Sequence, residues 1–270
     1  MNNSAPIGVF DSGVGGLTVM REISRQLPRE NIIYFGDTAR VPYGSKSKNT
    51  IIRFSEQIIR FLQTKQVKAI VIACNTASAL ALDVVKEQFE IPIIGVVTPG
   101  AKAAIAATVN QKIGVIGTDA TVQSGVYTKI IKESAPQITV VEKACPLFVP
   151  LVEEGFKEHT VTLEIIEYYL ASMKATDIDA MILGCTHYPL LRSRIRHFLG
   201  EGIQIVNPAY ETAMDLKQLL ADGDMENTGA EACSRYEFYV SDVADKFRQF
   251  ANTVMPFDVP TTNVVNIEEF

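Results

Sequence analysis

The feature that most constrains this chain is a pair of matching segments. Val71-Ile72-Ala73-Cys74-Asn75-Thr76 and Ile182-Leu183-Gly184-Cys185-Thr186-His187 each pass from a short apolar run through a small residue to a cysteine and two hydrogen-bonding residues, and helix-like sequence follows. In open parallel sheets ligands sit beyond the carboxyl ends of the strands, so a thiol at this strand-to-helix switch reaches a ligand cleft. It also faces the positive end of the next helix, which predicts a pKa below about 8.5 and more thiolate. A single cysteine in this setting reads as small core filling, because free cysteine is among the most buried residue types. Two of them in equivalent contexts, each followed by polar residues where apolar ones would pack better, are not explained by packing alone.

The cysteines belong to a wider repetition. Ile113 to Thr118 echoes Ile7 to Ser12, Cys185 echoes Cys74, and Val206-Asn207-Pro208-Ala209 echoes Val97-Thr98-Pro99-Gly100, at offsets of 106 (113 minus 7), 111 (185 minus 74) and 109 (206 minus 97). Near-constant offsets imply two similar halves. With 270 residues, 47% of them hydrophobic, the chain can fill two cores. The expected fold is α/β, with two pseudo-twofold-related domains, each a parallel-type sheet flanked by helices, and an active site in the cleft between them. The expected division is 1–97 plus 208–270 for the first domain and 98–207 for the second. The tail holds a polar stretch from Asp222 to Glu231, a strand at Arg235 to Val240, and Ser241 as cap of a helix with Val243, Phe247, Phe250 and Val254 on one face.

Within the first half, strands are expected at Ile7 to Phe10, Asn31 to Gly36, Lys68 to Cys74 and Pro92 to Val97, the last ending in Thr98-Pro99. Helices follow from the spacing of Ile51, Phe54, Ile58, Phe61 and Leu62, and over Ala77 to Phe89. The turn Asp11-Ser12-Gly13-Val14-Gly15-Gly16-Leu17 lacks the Lys-Ser/Thr of a P-loop and does not fit G-x-G-x-x-G, which argues against a nucleotide site. Its glycines permit a tight turn and close helix packing, while Asp11 and Ser12 present a carboxylate and a hydroxyl to the cleft of Cys74. Pro42-Tyr43-Gly44 reads as a shaped turn presenting an aromatic.

Composition narrows the function. A net charge of −6 without long single-sign runs argues against a nucleic-acid or membrane-surface partner. No apolar run approaches the roughly 18 residues of a membrane span and the start lacks a signal pattern, so a cytoplasmic protein is expected. Cysteines 74, 145, 185 and 233 show no C-x-x-C spacing and the histidines are 159, 187 and 197, which supports neither a metal site nor a disulfide framework.

Two thiols on matching positions of facing lobes place one sulfur on each side of a small ligand. One thiolate can then remove a proton from a carbon while the other thiol protonates the opposite face, inverting a stereocentre. Proton removal beside a carboxylate needs surrounding donors and a desolvated base, and Ser12, Asn75, Thr76, Thr118, Thr121 and Thr186 supply such donors. Asp11 and His187 tune the sulfurs or shuttle protons; His187 reads equally as a structural hydrogen bonder.

Phe10 to Leu17, Pro42-Tyr43-Gly44, Cys74-Asn75-Thr76-Ala77, Ala144 to Gly155 and Gly184-Cys185-Thr186-His187-Tyr188-Pro189-Leu190 together resemble the motif set of the glutamate racemase family, over nearly the whole chain. The resemblance implies a cofactor-independent isomerase that interconverts L- and D-glutamate, the latter for bacterial peptidoglycan and so for the cell wall, with Cys74 acting on one enantiomer and Cys185 on the other. It implies support from Asp11, His187 and Glu153, and substrate binding by Asp11, Ser12, Pro42, Tyr43, Gly44, Asn75, Thr76, Thr186 and His187. Enzymes of this type are commonly homodimers. The short run before Ile7 favours a form not regulated by cell-wall precursors. Pyridoxal phosphate is not expected, since a Schiff-base lysine would make two cysteines redundant and no lysine lies beside either motif. Related racemases acting on aspartate or a hydantoin share the two-cysteine pattern, and a two-lobed small-molecule binder with inert cysteines is the alternative of a different class; a Cys-His-Asp hydrolase would leave the second cysteine unexplained.

Overall fold

Runs such as Ile7-Gly8-Val9-Phe10 and Ala69-Ile70-Val71-Ile72 have no polar face, as a parallel strand covered by helices on both sides requires. A computed structural model describes residues 3–229 and 234–270; Cys233 and the end of the polar stretch from Asp222 lie outside the described residues. The first part of the chain runs β1 (Ile7–Asp11), α1 (Leu17–Gln26), β2 (Ile32–Gly36), α2 (Lys48–Thr64), β3 (Ala69–Ile72), α3 (Asn75–Leu80), α4 (Leu82–Gln88), β4 (Ile93–Gly95) and α5 (Val97–Ala107). Then come β5 (Lys112–Gly117), α6 (Asp119–Ser124), α7 (Val126–Ser134), β6 (Thr139–Ala144), α8 (Phe148–Glu153), α9 (Thr160–Lys174), β7 (Ala180–Gly184), α10 (Arg192–Leu199), β8 (Gln204–Val206) and α11 (Pro208–Asp222). β9 (Tyr236–Val240), α12 (Ala244–Val254) and β10 (Asn263–Val264) close the chain.

Among the described residues the strands form two parallel sheets, ordered β10-β9-β2-β1-β3-β4 and β6-β5-β7-β8. The order β2-β1-β3-β4 recurs as β6-β5-β7-β8, and the registers match: Ile7 lies between Ile32 and Ala69 as Ile113 lies between Val140 and Ala180. The fold is therefore α/β with two parallel sheets flanked by helices, and the sequence offsets are the trace of this repeated topology.

The central strands of each sheet are buried on both faces, while the edge strands β6 and β10 are not. On the first, Val9 packs with Leu17, Leu216 and Phe247, while Phe10 faces the group of Phe54, Ile58, Leu62 and Val85. On the second, Val115 groups with Ala104 and Ile131, and Ile116 with Phe148, Leu170 and Ile195. Each such side chain removed from water contributes about 1.5–3 kcal/mol. Helices α5 and α11, which carry the chain between the sheets, pack against each other. No helix among the described residues is long and apolar enough to cross a membrane.

Three expectations are corrected. The fourth strand ends at Gly95, and Thr98-Pro99 lie in the first turn of α5, where proline's missing N–H costs nothing. The expected helix from Ala77 to Phe89 breaks at Ala81 into α3 and α4. Ser241 does not cap α12: its hydroxyl donates to Asp37 Oδ1 at 2.8 Å and accepts from the Ala39 N–H. The cap position falls to Val243, which is left-handed and 51% exposed instead of facing the core.

At the amino end of β3 a buried ion pair ties several segments together. Lys68 Nζ lies 2.6 Å from Glu30 Oε2 and donates to the carbonyls of Asn3 and Met225, while Glu30 Oε1 accepts from Asn227 N–H. Breaking one side of a buried pair leaves an uncompensated charge, so Lys68→Met is expected to cost about 3–5 kcal/mol in urea unfolding. A loss below about 1 kcal/mol, the range of a surface pair, would contradict the assignment.

Candidate active site

The two cysteines occupy equivalent places. Cys74 follows β3 and Cys185 follows β7, the third strand of each repeat, and both line one cavity of about 410 Å³ between the sheets. Ser12, Pro42, Tyr43, Gly44, Asn75 and Thr76 reach it from the first sheet, and Thr118, Glu153, Thr186 and His187 from the second. Asp11 and Thr121 are buried behind the wall and not on it. The wall also includes Val41, Asp119, Pro146, Val149 and Pro150, which sequence reasoning passed over. Their signal was adjacency, since Val41 abuts Pro42-Tyr43-Gly44 and the prolines lie in the segment leading to Glu153.

On the Cys185 side a carboxylate, an imidazole and the sulfur stand in a row. His187 Nδ1 lies 3.8 Å from Cys185 Sγ, and Nε2 lies 2.9 Å from Glu153 Oε1. Burial alone would depress the imidazole, but its bonds to Cys185 and Glu153 prevail and push it up to about 10. Glu153 is correspondingly held below the usual carboxylate range: burial opposes this, and the His187 hydrogen bond and charge, with Lys246, outweigh it. The arrangement is an imidazolium between a carboxylate and a sulfur, suited to stabilising a thiolate.

The Cys74 side differs, and the expected lowering of its pKa is corrected. The amino end of α3 does reach the sulfur, through Ala77 N–H at 3.5 Å, and Ser12 Oγ lies 3.6 Å away. Burial and the neighbouring Asp11 carboxylate nonetheless prevail and push the Cys74 thiol up to about 12. Asp11 is itself raised by burial, against His187 and three backbone N–H groups; its Oδ2 accepts from Gly13 N–H at 3.0 Å. After Cys185 the chain makes a short 3-10 turn, Tyr188–Leu191, so His187 takes the place of a helix end there.

The aromatic of Pro42-Tyr43-Gly44 is not presented to the cleft by its hydroxyl. Tyr43 OH donates to the fully buried Asp37, whose Oδ2 also accepts from Arg40 Nε at 2.7 Å. This network anchors the turn that borders the cavity.

Residues that follow each cysteine reach across to the opposite half. Thr76 Oγ1 bonds Thr118 Oγ1 at 2.9 Å and Thr121 Oγ1 at 3.3 Å, Asn75 accepts from Tyr127 OH, and the Thr186 carbonyl accepts from Thr18 Oγ1 at 2.9 Å. Gly15 is what admits the second lobe: a Cβ there would lie 2.3 Å from Thr186 Oγ1 and 2.5 Å from the His187 ring. Among the described residues no group of three or more His, Cys, Asp or Glu is placed to hold a metal.

A deep cleft between two copies of one parallel-sheet topology, with a sulfur on each side, is the site of a two-lobed α/β enzyme. The chain belongs to the Asp/Glu/Hydantoin racemase family, whose model matches residues 7–215. It is 46% identical over 246 residues to the glutamate racemase of Geobacter metallireducens, covering 91% of each chain. Among solved structures it is similar to a glutamate racemase isoform of Bacillus anthracis, with TM-score 0.93 and 39% identity over 98% of both chains. It is also similar to the Francisella tularensis glutamate racemase in complex with D-glutamate, with TM-score 0.92 and 38% identity over 99% of this chain and 100% of that one.

Gly15→Ala is expected to fold but to lose most activity in a steady-state assay, because Thr186 and His187 must move; near-normal rates would contradict the close approach. For His187, a folded pKa raised from 6.5 to about 10 contributes stability that is complete below 6.5 and lost as pH climbs through about 10. Urea midpoints of the wild type should therefore fall across that window and those of His187→Gln should fall less, whereas parallel pH profiles would refute the ion pair.

Proposed function

We propose that this chain interconverts L- and D-glutamate by a two-thiol proton transfer at Cα that needs no cofactor, supplying D-glutamate for peptidoglycan. The observation that carries the chemistry is the pair of cysteines at equivalent strand ends on one cavity. The substrate is supported by the relatives that are glutamate racemases.

In one direction the Cys185 thiolate, beside the His187 imidazolium, removes the α-proton while the neutral Cys74 thiol protonates the other face. The sulfurs then hold exchanged protonation states and serve the opposite enantiomer. His187, fixed by Glu153, holds the charge balance at Cys185, and burial, with Asp11 beside it, keeps Cys74 protonated until the carbanion forms. Donors of Ser12, Asn75, Thr76, Thr118 and Thr186, with the backbone of Pro42-Tyr43-Gly44, bind the carboxylates and stabilise charge that builds next to Cα; Thr121 acts behind them through Thr76 and Thr118. The lobes acting this way are 1–97 with 208–270 and 98–207. In support, β1–β4, β9 and β10 fall within the first set and β5–β8 within the second.

Cys74→Ser and Cys185→Ser are each expected to lower turnover by about 10²–10⁴-fold, the usual worth of a positioned acid or base, in dialysed protein without added pyridoxal phosphate. Near-normal rates in either variant, or dependence on pyridoxal phosphate, would refute the mechanism. Aspartate assayed in parallel separates the substrates: turnover of aspartate alone keeps the chemistry and overturns glutamate.

A further inference from the structure

Tyr127 lies on α7, on the second sheet, with no exposed surface, yet its hydroxyl crosses to the first half and donates to Asn75 Oδ1 at 2.7 Å. Its ring rests on Gly184, where a Cβ would come within 3.2 Å of Cε2. One phenol thus touches the residue before Cys185 and the residue after Cys74. Asn75 is only 4% exposed and borders the cavity. Its oxygen is taken by Tyr127, and no described residue accepts from its Nδ2. Buried amides are normally paired at both ends, so this free donor at the cavity wall is left for an occupant.

We propose that Tyr127 is a positioning residue that fixes the orientation of the Asn75 amide, holding its oxygen toward the second lobe and its Nδ2 toward the cavity to donate to a substrate carboxylate. The inference rests on the racemase reading above. An amide presents a donor or an acceptor depending on which way it is turned, and only the donor suits an anion. Without the phenol the two orientations become closer in energy, and part of the population offers the substrate carboxylate an oxygen. Because the same hydroxyl joins the lobes, the donor is aligned when they are in contact.

The test is steady-state kinetics on L-glutamate with the full chain, alongside thermal unfolding. Tyr127→Phe is expected to raise KM about five- to tenfold with kcat within about twofold, the signature of lost binding worth about one hydrogen bond. Asn75→Ala should raise KM as well, and adding Tyr127→Phe to it should produce no further rise. An unchanged KM in Tyr127→Phe with a lowered Tm, or the same multiplicative rise in the Asn75→Ala background, overturns the positioning role. Asn75→Asp is an independent check, since it still accepts from Tyr127 but turns an oxygen toward the substrate: its KM should exceed that of Asn75→Ala, and a lower KM overturns the amide orientation. Wild-type turnover is the control. Its absence overturns the racemase reading, whereas normal wild-type turnover with unaltered KM in Tyr127→Phe overturns this inference alone.

Discussion

The hydrogen bonds that the residues after each cysteine make to the opposite lobe hold this cleft together. Asn75 meets Tyr127, Thr76 meets Thr118 and Thr121, and the Thr186 carbonyl meets Thr18. Each bond starts one or two residues from a sulfur, so the spacing between the cysteine walls is set by the same contacts that join the halves. These groups are nearly all buried, where an unmade bond costs about 1–3 kcal/mol, so the joined arrangement is strongly favoured over one that leaves them unpaired. The glycine-rich turn serves this joining: Gly15 gives Thr186 and His187 their place.

Topology repeats between the halves while electrostatics does not. Two residues beyond the cysteine the first half has Thr76 and the second His187, whose ring Glu153 holds. The first half instead places Asp11 near its thiol. The surroundings of the two sulfurs therefore differ, with the His187 imidazole and Glu153 on the Cys185 side, and burial with Asp11 holding the thiol up on the Cys74 side. A symmetric pair of thiols would have no built-in preference for one charged and one neutral sulfur.

Much of this was legible in sequence because it is local or periodic. The apolar runs marked buried parallel strands, the near-constant offsets marked the repeated topology, and the polar residues after each cysteine marked a cleft. What escaped was set by distant neighbours. The Cys74 thiol was read from the helix after it, yet burial and Asp11, remote in sequence, overrule that helix. Thr98-Pro99 looked like a strand end because proline stops regular structure, although the first helical turn tolerates it. Ser241 had the chemistry of a helix cap but was drawn to the buried Asp37. Tyr127 carried no signal, being one aromatic at helical spacing whose role depends on where its hydroxyl lands in the folded chain.

Which hydrogen the product carries tests the two-sulfur mechanism most directly. Protiated L-glutamate incubated in heavy water should give D-glutamate with deuterium at Cα from the first turnovers, while the L-glutamate recovered at low conversion stays protiated, as read by proton NMR and chiral separation. That pattern requires one group to take the proton and another, already exchanged with solvent, to return one from the far side. D-Glutamate that keeps the original hydrogen, or early deuterium in the recovered L-glutamate, would mean that a single base handles both faces and would contradict the two-sulfur mechanism.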